Sequence, residues 1–518
     1  MRKVPVLTAE EAVKFVKDAD VLAVTGFVGS VIAEGLLKAL RKRYDETKAP
    51  KDLTIFFAAG QGNRQGTAVD RLATEGLVKR VIGGHWNLIP ELGKLVLEDK
   101  IEGYNFPQGT LSQLSRDIAA HKLGTLTHVG MNTYVDPING GGKLNKITKE
   151  DLVVRVNLLG EDRLLYKAFP INVSFLRGTY ADESGNVTLE DEVTPLDSTS
   201  FAQAAKNSGG KVIVQVKKVV ANGSLDPKLV KIPGIYVDAI VVVSPEDQPQ
   251  CLGMTEDDPS YSGHVRSPLG SLAPVPLDVK KVIGRRGAME LQENSVVNLG
   301  IGAPEFISMV ASEEGIGDYM TLTVEAGPIG GVPLGGSKFG AAMNPECMLD
   351  QGYQFDFYDG GGIDYAFLGL AEADETGNVN VSKFGPRIAG CGGFINITQN
   401  AKRTFFCGTF TAGGLKTKIS DGKLEILQEG KEKKFLKAVE HITFSGEYAK
   451  KIKQPVLYIT ERAVFELRED GVYLTEVAPG IDVQTQIIDL MGFAPKVDGK
   501  PKLMDERIFK DELMGLKK

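Results

Sequence analysis

Glu325 is the residue with the most chemistry to offer. It ends the apolar run of LTVEAGPIGG (322–331) and is followed by Ala, Gly and Pro. A charge at the end of an apolar strand costs free energy unless it is solvated, paired or used. The small residues after it let a ligand approach both the backbone and the carboxylate. No His, Ser or Cys stands beside it in the sequence. A carboxylate of ordinary pKa, near 4.3, is ionised at pH 7 and can attack without a general base. Carboxylates are weak nucleophiles, so the target must be a strongly activated acyl group, and thioesters qualify. The plainer alternative is a carboxylate that caps a turn or pairs with a nearby Arg.

Other chemistries find little support. The sequence contains no G-x-x-x-x-G-K-[ST] phosphate loop and no G-x-S-x-G elbow. GQGNRQG (60–66) misses the dinucleotide fingerprint by one place, and no helical pattern opens there. The five histidines are scattered singly, without HExxH or a Cys/His cluster, so no metal is expected. Cys251, Cys347, Cys391 and Cys407 form no CxxC pair and read as reduced thiols.

The elements that must position Glu325 are legible from glycine placement. Gly and Pro make up about 16% of the chain against a usual ~12%. The glycines fall at the ends of short apolar runs: VLAVTGF (21–27), LTIFFAAGQG (53–62), VVNLGIG (296–302) and YAFLGLAEAD (365–374). Such runs, alternating with helical patterns such as VIAEGLLKALRKRY (31–44), predict buried parallel strands in an α/β architecture. Ligand crevices in such folds lie at the carboxyl ends of the strands.

The chain also repeats itself. INVSFLRGTYADESGNVTL (171–189) and IDYAFLGLAEADETGNVNV (363–381) share 9 of 19 residues without a gap. LTIFFAAG (53–60) resembles TLTVEAG (321–327), which sets Ala58 where the second half has Glu325. The expected organisation is a first domain over 1–245, a linker over 246–276 and a second domain over 277–518. The first carries an insertion of about 75 residues between 60 and 171. Two pseudo-equivalent open sheets facing each other across a cleft would offer a small-molecule site.

A net charge of −7 gives no general attraction to nucleic acid or an anionic membrane, so neither is an expected partner. No apolar run approaches the length of a membrane span, and the N-terminal Thr8-x-x-Glu11 reads as a capping box rather than a secretory signal. A cytoplasmic protein is the expectation.

Over essentially its whole length the chain resembles the family I CoA-transferases, most of all the bacterial propionate (lactate/acetate) type. The match is carried by GFVGSVIAEGLLKAL, YNFPQGTLSQ, GTYADESGN, GRRGAMEL, NLGIGAPE, TLTVEAGPIGGVP, QFDFYDGGGID, KFGPRIAGCGGFINIT and FCGTFTAGGLK, in that order. The resemblance implies two Rossmann-like domains and an exchange of CoA between a short-chain acyl-CoA (propionyl, acetyl or lactoyl) and a free carboxylate. Coenzyme A would be a co-substrate, with no tightly bound cofactor. Glu325 would form an acyl-glutamyl anhydride and then a glutamyl-CoA thioester, with ping-pong kinetics.

The resemblance also suggests the supporting residues. Gly300, Ile301, Gly302, Ala303 and Pro304 would lie beside CoA, and Gly390, Gly392 and Gly393 beside its pantetheine arm and the nucleophile. Cys391 reads as a small packed residue rather than a second nucleophile. Gly360, Gly361 and Gly362 would line the acyl pocket, and Gly26 would shape the cleft. Gln108 would use its side-chain amide on a carboxylate or oxyanion, and Lys416 is one candidate cation for the CoA phosphates. Relatives are often dimers or tetramers, so a homo-oligomer is expected. An acyl-CoA hydrolase of the same fold and a non-catalytic CoA or sugar-phosphate sensor are the alternative readings.

Overall fold

The computed structural model describes residues 3–268 and 274–517. By contacts the chain divides into two compact units. The first comprises residues 1–267, 324–356 and 385–396, and the second 268–323, 357–384 and 397–518. Glu325 and the glycine loop at 390–393 therefore belong to the first unit, although both come from the second sequence half.

The first unit is built on eight strands: β1 (Val6–Leu7), β2 (Val21–Val24), β3 (Leu53–Phe57), β4 (Val78–Gly83), β5 (Glu102–Asn105), β6 (Val173–Arg177), β7 (Lys211–Val216) and β8 (Ala239–Val242). Their order is β1-β8-β7-β6-β2-β3-β4-β5, and every neighbouring pair is parallel. Continuous apolar runs suit such strands because both faces are covered, and Leu22, Ile55, Phe56, Phe175 and Ile213 are fully buried. Helix α1 (Glu34–Thr47) turns Leu36, Leu37 and Leu40 into this core, as the spacing in 31–44 predicts. It ends at Lys48 in the left-handed conformation. The insertion supplies β4, β5, helix α2 (Gln108–Ala119) and a three-stranded antiparallel sheet (Gly124–Thr127, Val153–Leu158, Glu161–Lys167). Helix α3 (Ser198–Asn207) packs against α2 and β6.

The described part of the expected linker is largely exposed but is anchored by a few buried residues. Cys251 and Ser260 are fully buried, and Gln250 Nε2 donates to the carbonyls of Asp191 (3.0 Å) and Asp258 (3.2 Å). A Pro/Gly-rich composition rules out regular elements here but not burial, because side-chain amides satisfy the irregular backbone.

The second unit repeats the plan. Helix α4 (Val279–Ala288) precedes β9 (Ser295–Leu299), helix α5 (Glu305–Glu313), β10 (Met320–Leu322), β11 (Tyr365–Gly369), β12 (Arg403–Cys407), β13 (Val456–Ile459), β14 (Ala463–Arg468), β15 (Gly471–Val477) and β16 (Lys502–Leu503). The order is β10-β9-β11-β12-β13-β14-β15-β16, parallel through β13 and antiparallel from β13 to β15. Stacked Phe367 and Phe405, 4.4 Å apart at their ring centroids, lie in its core. Helices α6 (Gln351–Asp359) and α7 (Phe394–Asn400) each begin in the first unit and end in the second.

Candidate active site

Glu325 lies in a tight turn, not in a strand. The Val324 amide donates to Pro328 O (2.9 Å) and the Gly327 amide to Val324 O (2.9 Å), which leaves Glu325 and Ala326 at the tip. Gly327 makes the turn possible. Its φ is +131°, and a Cβ there would stand 2.1 Å from Leu349 O. Thr194 Oγ1 donates to Ala326 O, and the Leu349 amide donates to Gly327 O (3.0 Å), so the tip is held from both sides.

The carboxylate of Glu325 has no hydrogen-bond donor among the described residues, and the residue as a whole is part-buried. Burial alone pushes its pKa up to about 7. This corrects the expectation of an ordinary carboxylate that is fully ionised at pH 7. Near neutrality the protonated and ionised forms coexist.

The glycine loop comes directly against it. A Cβ on Gly393 would lie 3.1 Å from Glu325 Oε2 and 3.0 Å from the Phe355 ring. Any side chain here would force the carboxylate or the ring to give way by a few tenths of an ångström. Among the described residues the Gly393 amide has no acceptor, so one N–H close to the carboxylate is uncommitted.

The insertion pins this loop. Asn105, at the end of β5, is fully buried and donates through Nδ2 to Gly83 O (2.9 Å) and Gly84 O (2.6 Å). Its Oδ1 accepts from the Cys391 amide (3.0 Å) and from the Tyr134 hydroxyl. The Gly392 amide donates to Gly84 O (2.7 Å), and Gly392 O accepts from the Gln108 amide (2.9 Å). Gly390 bridges to His85. Burial lowers the His85 pKa to about 4, helped by the charges of Arg64 and Arg387, so this imidazole is neutral at pH 7. Burial pushes the Cys391 thiol up to about 12, which makes it the packed group expected rather than a thiolate.

Gln108 opens α2 and is 1% exposed. Its Oε1 lies 3.7 Å from where a Cβ on Gly392 would stand, and its Nε2 donates to Gln351 Oε1 (2.9 Å). Glu325, Gln108, Gly392 and Gly393 are therefore brought together in one unit from segments far apart in sequence. Asn105, Gln351, Asp197 and Phe355 complete the cluster and escaped the sequence reading. Asn105 lies in YNFPQG (104–109), and its position at a strand end close to Gln108 is the sequence signal that marks it.

The other expected residues lie elsewhere in their units. Gly26 packs against Gln61 and Ile32 of the first unit. Gly300, Ile301, Gly302, Ala303 and Pro304 form the loop from β9 to α5 in the second unit, where Ile301 is 60% exposed. Asn298, in the same motif, donates to Thr323 O (3.1 Å) and ties β9 to the end of β10. Gly360, Gly361 and Gly362 follow α6. Gly361 has φ +86°, and Gly362 lies under the Phe357 ring, where a Cβ would stand 2.4 Å away. Lys416 starts an exposed strand, Lys416–Ser420. Among the described residues no cluster of His, Cys, Asp and Glu could hold a metal ion, and no helix is long and apolar enough to cross a membrane.

Known proteins agree with this architecture. The family model described as Coenzyme A transferase matches residues 6–243. Acetate CoA-transferase YdiF of Escherichia coli (strain K12) is 46% identical over 514 residues, 99% of this chain and 96% of that protein. Caffeate CoA-transferase of Acetobacterium woodii is 43% identical over 518 residues, covering 98% of each. The crystal structure of the acyl-CoA transferase YdiF apoenzyme from Escherichia coli O157:H7 matches with a TM-score of 0.94 at 45% identity, over 99% of this chain and 97% of that one. The same enzyme is known as a thioester complex with CoA, matched at a TM-score of 0.93. With such identity running the full length of both chains, the α/β protein described here belongs to the coenzyme A transferase family and is a CoA-transferase.

Proposed function

We propose that this CoA-transferase exchanges CoA between short-chain acyl-CoA and free carboxylates of the propionyl, acetyl and lactoyl class, with Glu325 as the covalent nucleophile. The observation that carries the reading is the approach of Gly393 to a Glu325 carboxylate that no donor occupies. A nucleophile already tied up by hydrogen bonds would have to break them before attacking.

The ionised Glu325 oxygen attacks the acyl-CoA carbonyl carbon, the C–S bond breaks, and CoA leaves as thiolate. The thiolate then attacks the glutamyl carbon of the resulting anhydride. The C–O bond breaks, the first carboxylate departs, and glutamyl-CoA remains. The acceptor carboxylate reverses both steps and frees Glu325. One thioester replaces another, so the cycle consumes no ATP and runs as a ping-pong exchange.

Each addition puts negative charge on a carbonyl oxygen. The uncommitted Gly393 N–H and the second N–H of Gln108 are the donors we assign to it. Gly390 and Gly392 let the pantetheine arm pass close to the backbone. The loop Gly300–Pro304 and Lys416 are assigned to the rest of CoA, and Gly360–Gly362 with Gly26 to the acyl pocket. A homo-oligomeric, cytoplasmic enzyme is part of the same reading.

The test is intact mass and peptide mapping after mixing the protein with propionyl-CoA and no acceptor. A CoA adduct on the peptide holding Glu325, discharged by acetate, is the expected result. Exchange activity from a protein that stays unmodified throughout would refute the covalent mechanism.

A further inference from the structure

Gln108 is held by a chain of buried groups that leads away from the nucleophile. Gln108 Nε2 donates to Gln351 Oε1 (2.9 Å), and Gln351 Nε2 donates to Asp197 Oδ2 (2.7 Å). The other carboxylate oxygen, Asp197 Oδ1, accepts from the Ser112 hydroxyl. Gln108 and Ser112 lie four residues apart on the same face of α2. All four side chains are buried, with Gln351 and Ser112 fully enclosed. All four also belong to the first unit.

The position of Asp197 is hard to explain by folding needs alone. It stands at the N-cap of α3, where an aspartate ordinarily accepts from the first free amides of the helix. Its side chain makes no such bond and turns instead to Ser112 and Gln351. A buried carboxylate whose hydrogen-bond donors are both neutral is costly to keep even with the Arg116 charge nearby, and an asparagine would pack there with less penalty.

We propose that Asp197 and Gln351 are positioning residues for Gln108, setting which way its amide faces in the active site. The logic is one of donors and acceptors. An ionised carboxylate only accepts, so Gln351 must turn its NH2 to Asp197 and its oxygen to Gln108. Gln108 must then give one N–H to Gln351. The rest of its amide is left in a single orientation, with Oε1 toward Gly392 and one N–H uncommitted. Without Asp197 either amide could rotate by half a turn at little cost, and Gln108 would spend part of its time offering the wrong atom. Burial raises the pKa of Asp197 to about 7, with Asp350 adding to the rise and Ser112, Arg116 and Gln351 opposing it, so the accept-only form that fixes the two amides is the one that prevails above that pH.

This inference rests on the reading of Gln108 as a donor to the reaction, so Gln108→Met is measured beside the relay variants. Gln351→Met keeps the volume of the side chain and removes the amide. It is expected to lower kcat about tenfold or more while the KM for acyl-CoA stays within about threefold. The double variant Gln108→Met/Gln351→Met should be no slower than Gln108→Met alone, because both changes remove the same interaction. Asp197→Asn, which removes the buried charge, should lower kcat while raising thermal stability, a combination that a purely structural role does not produce. It also carries the test should Gln351→Met fail to fold. A wild-type kcat in both Gln351→Met and Asp197→Asn would overturn the relay and leave Gln108 in place, as would losses that multiply with that of Gln108→Met. A wild-type kcat in Gln108→Met would overturn the role of Gln108 and the relay with it. Neither result touches the covalent adduct on Glu325, which is read separately by mass.

Discussion

Glu325→Gln removes a charge that the fold pays for, and the gain in stability should depend on pH in a way that can be worked out. In the unfolded chain this carboxyl ionises near its ordinary value of 4.5, and in the folded protein only near 7. Between these values the folded state holds a proton that the unfolded state has lost. Wild-type stability therefore falls as pH rises from about 4.5 to about 7, and no further above that. At about 1.4 kcal/mol per pKa unit the full difference is ~3 kcal/mol. Because the residue is only part-buried, the expected gain for Glu325→Gln is between about 1 and 3 kcal/mol at pH 8. By the same linkage roughly a quarter of it should be present at pH 5. Urea unfolding of both proteins at pH 5 and pH 8 reads the difference directly. The variant should also lose exchange activity, since a neutral amide is no nucleophile. An equal effect at both pH values, or a variant less stable than wild type at pH 8, would refute the argument that burial is what raises this group.

Three further outcomes follow from the same geometry. For wild type, kcat/KM for acyl-CoA should rise about tenfold per pH unit below pH 7 and level off above it, because only ionised Glu325 attacks; a flat profile between pH 5.5 and 8.5 would count against it. Gly393→Ala would place a methyl group 3.1 Å from Glu325 Oε2, and a loss of about 100-fold in exchange rate with an unchanged circular dichroism spectrum is expected. Asn105→Ala strips partners from Gly83 O and from the Cys391 amide, and should lower stability by about 2–4 kcal/mol in denaturant unfolding as well as slowing exchange.

The α/β plan was legible because buried parallel strands leave continuous apolar runs, and VLAVTGF, LTIFFAAGQG and VVNLGIG each yield a strand ending at or before its glycine. Glu325 was legible for a similar reason, since a lone acid after such a run has a cost that calls for a use. Its pKa was not legible, because burial sums over residues brought in from distant segments, Gly393 and Phe355 among them. The relay was out of reach altogether. Gln351 meets Asp197 across 154 residues and Gln108 across 243, and neither Gln351 nor Asp197 lies in a pattern with a period. The anchoring of residues 246–267 through Gln250, Cys251 and Ser260 was hidden by composition, which reports the absence of regular elements and not which residues are buried.

A carboxylate raised to about 7 suits the proposed chemistry better than an ordinary one. Among oxygen nucleophiles reactivity grows with basicity, while the ionised fraction at working pH falls once the pKa passes that pH. The two trends balance when the pKa lies near neutrality. The way the shift arises matters as much as its size. A cation or hydrogen-bond donor on Glu325 would stabilise the resting carboxylate and lower its reactivity, whereas burial without partners leaves the lone pairs free. The donors nearby, the Gly393 amide and the second N–H of Gln108, are not spent on that resting charge. In the proposed mechanism they meet charge only when it moves onto the carbonyl oxygen of the substrate. Interactions made in the transition state and withheld in the ground state are the ones that raise kcat.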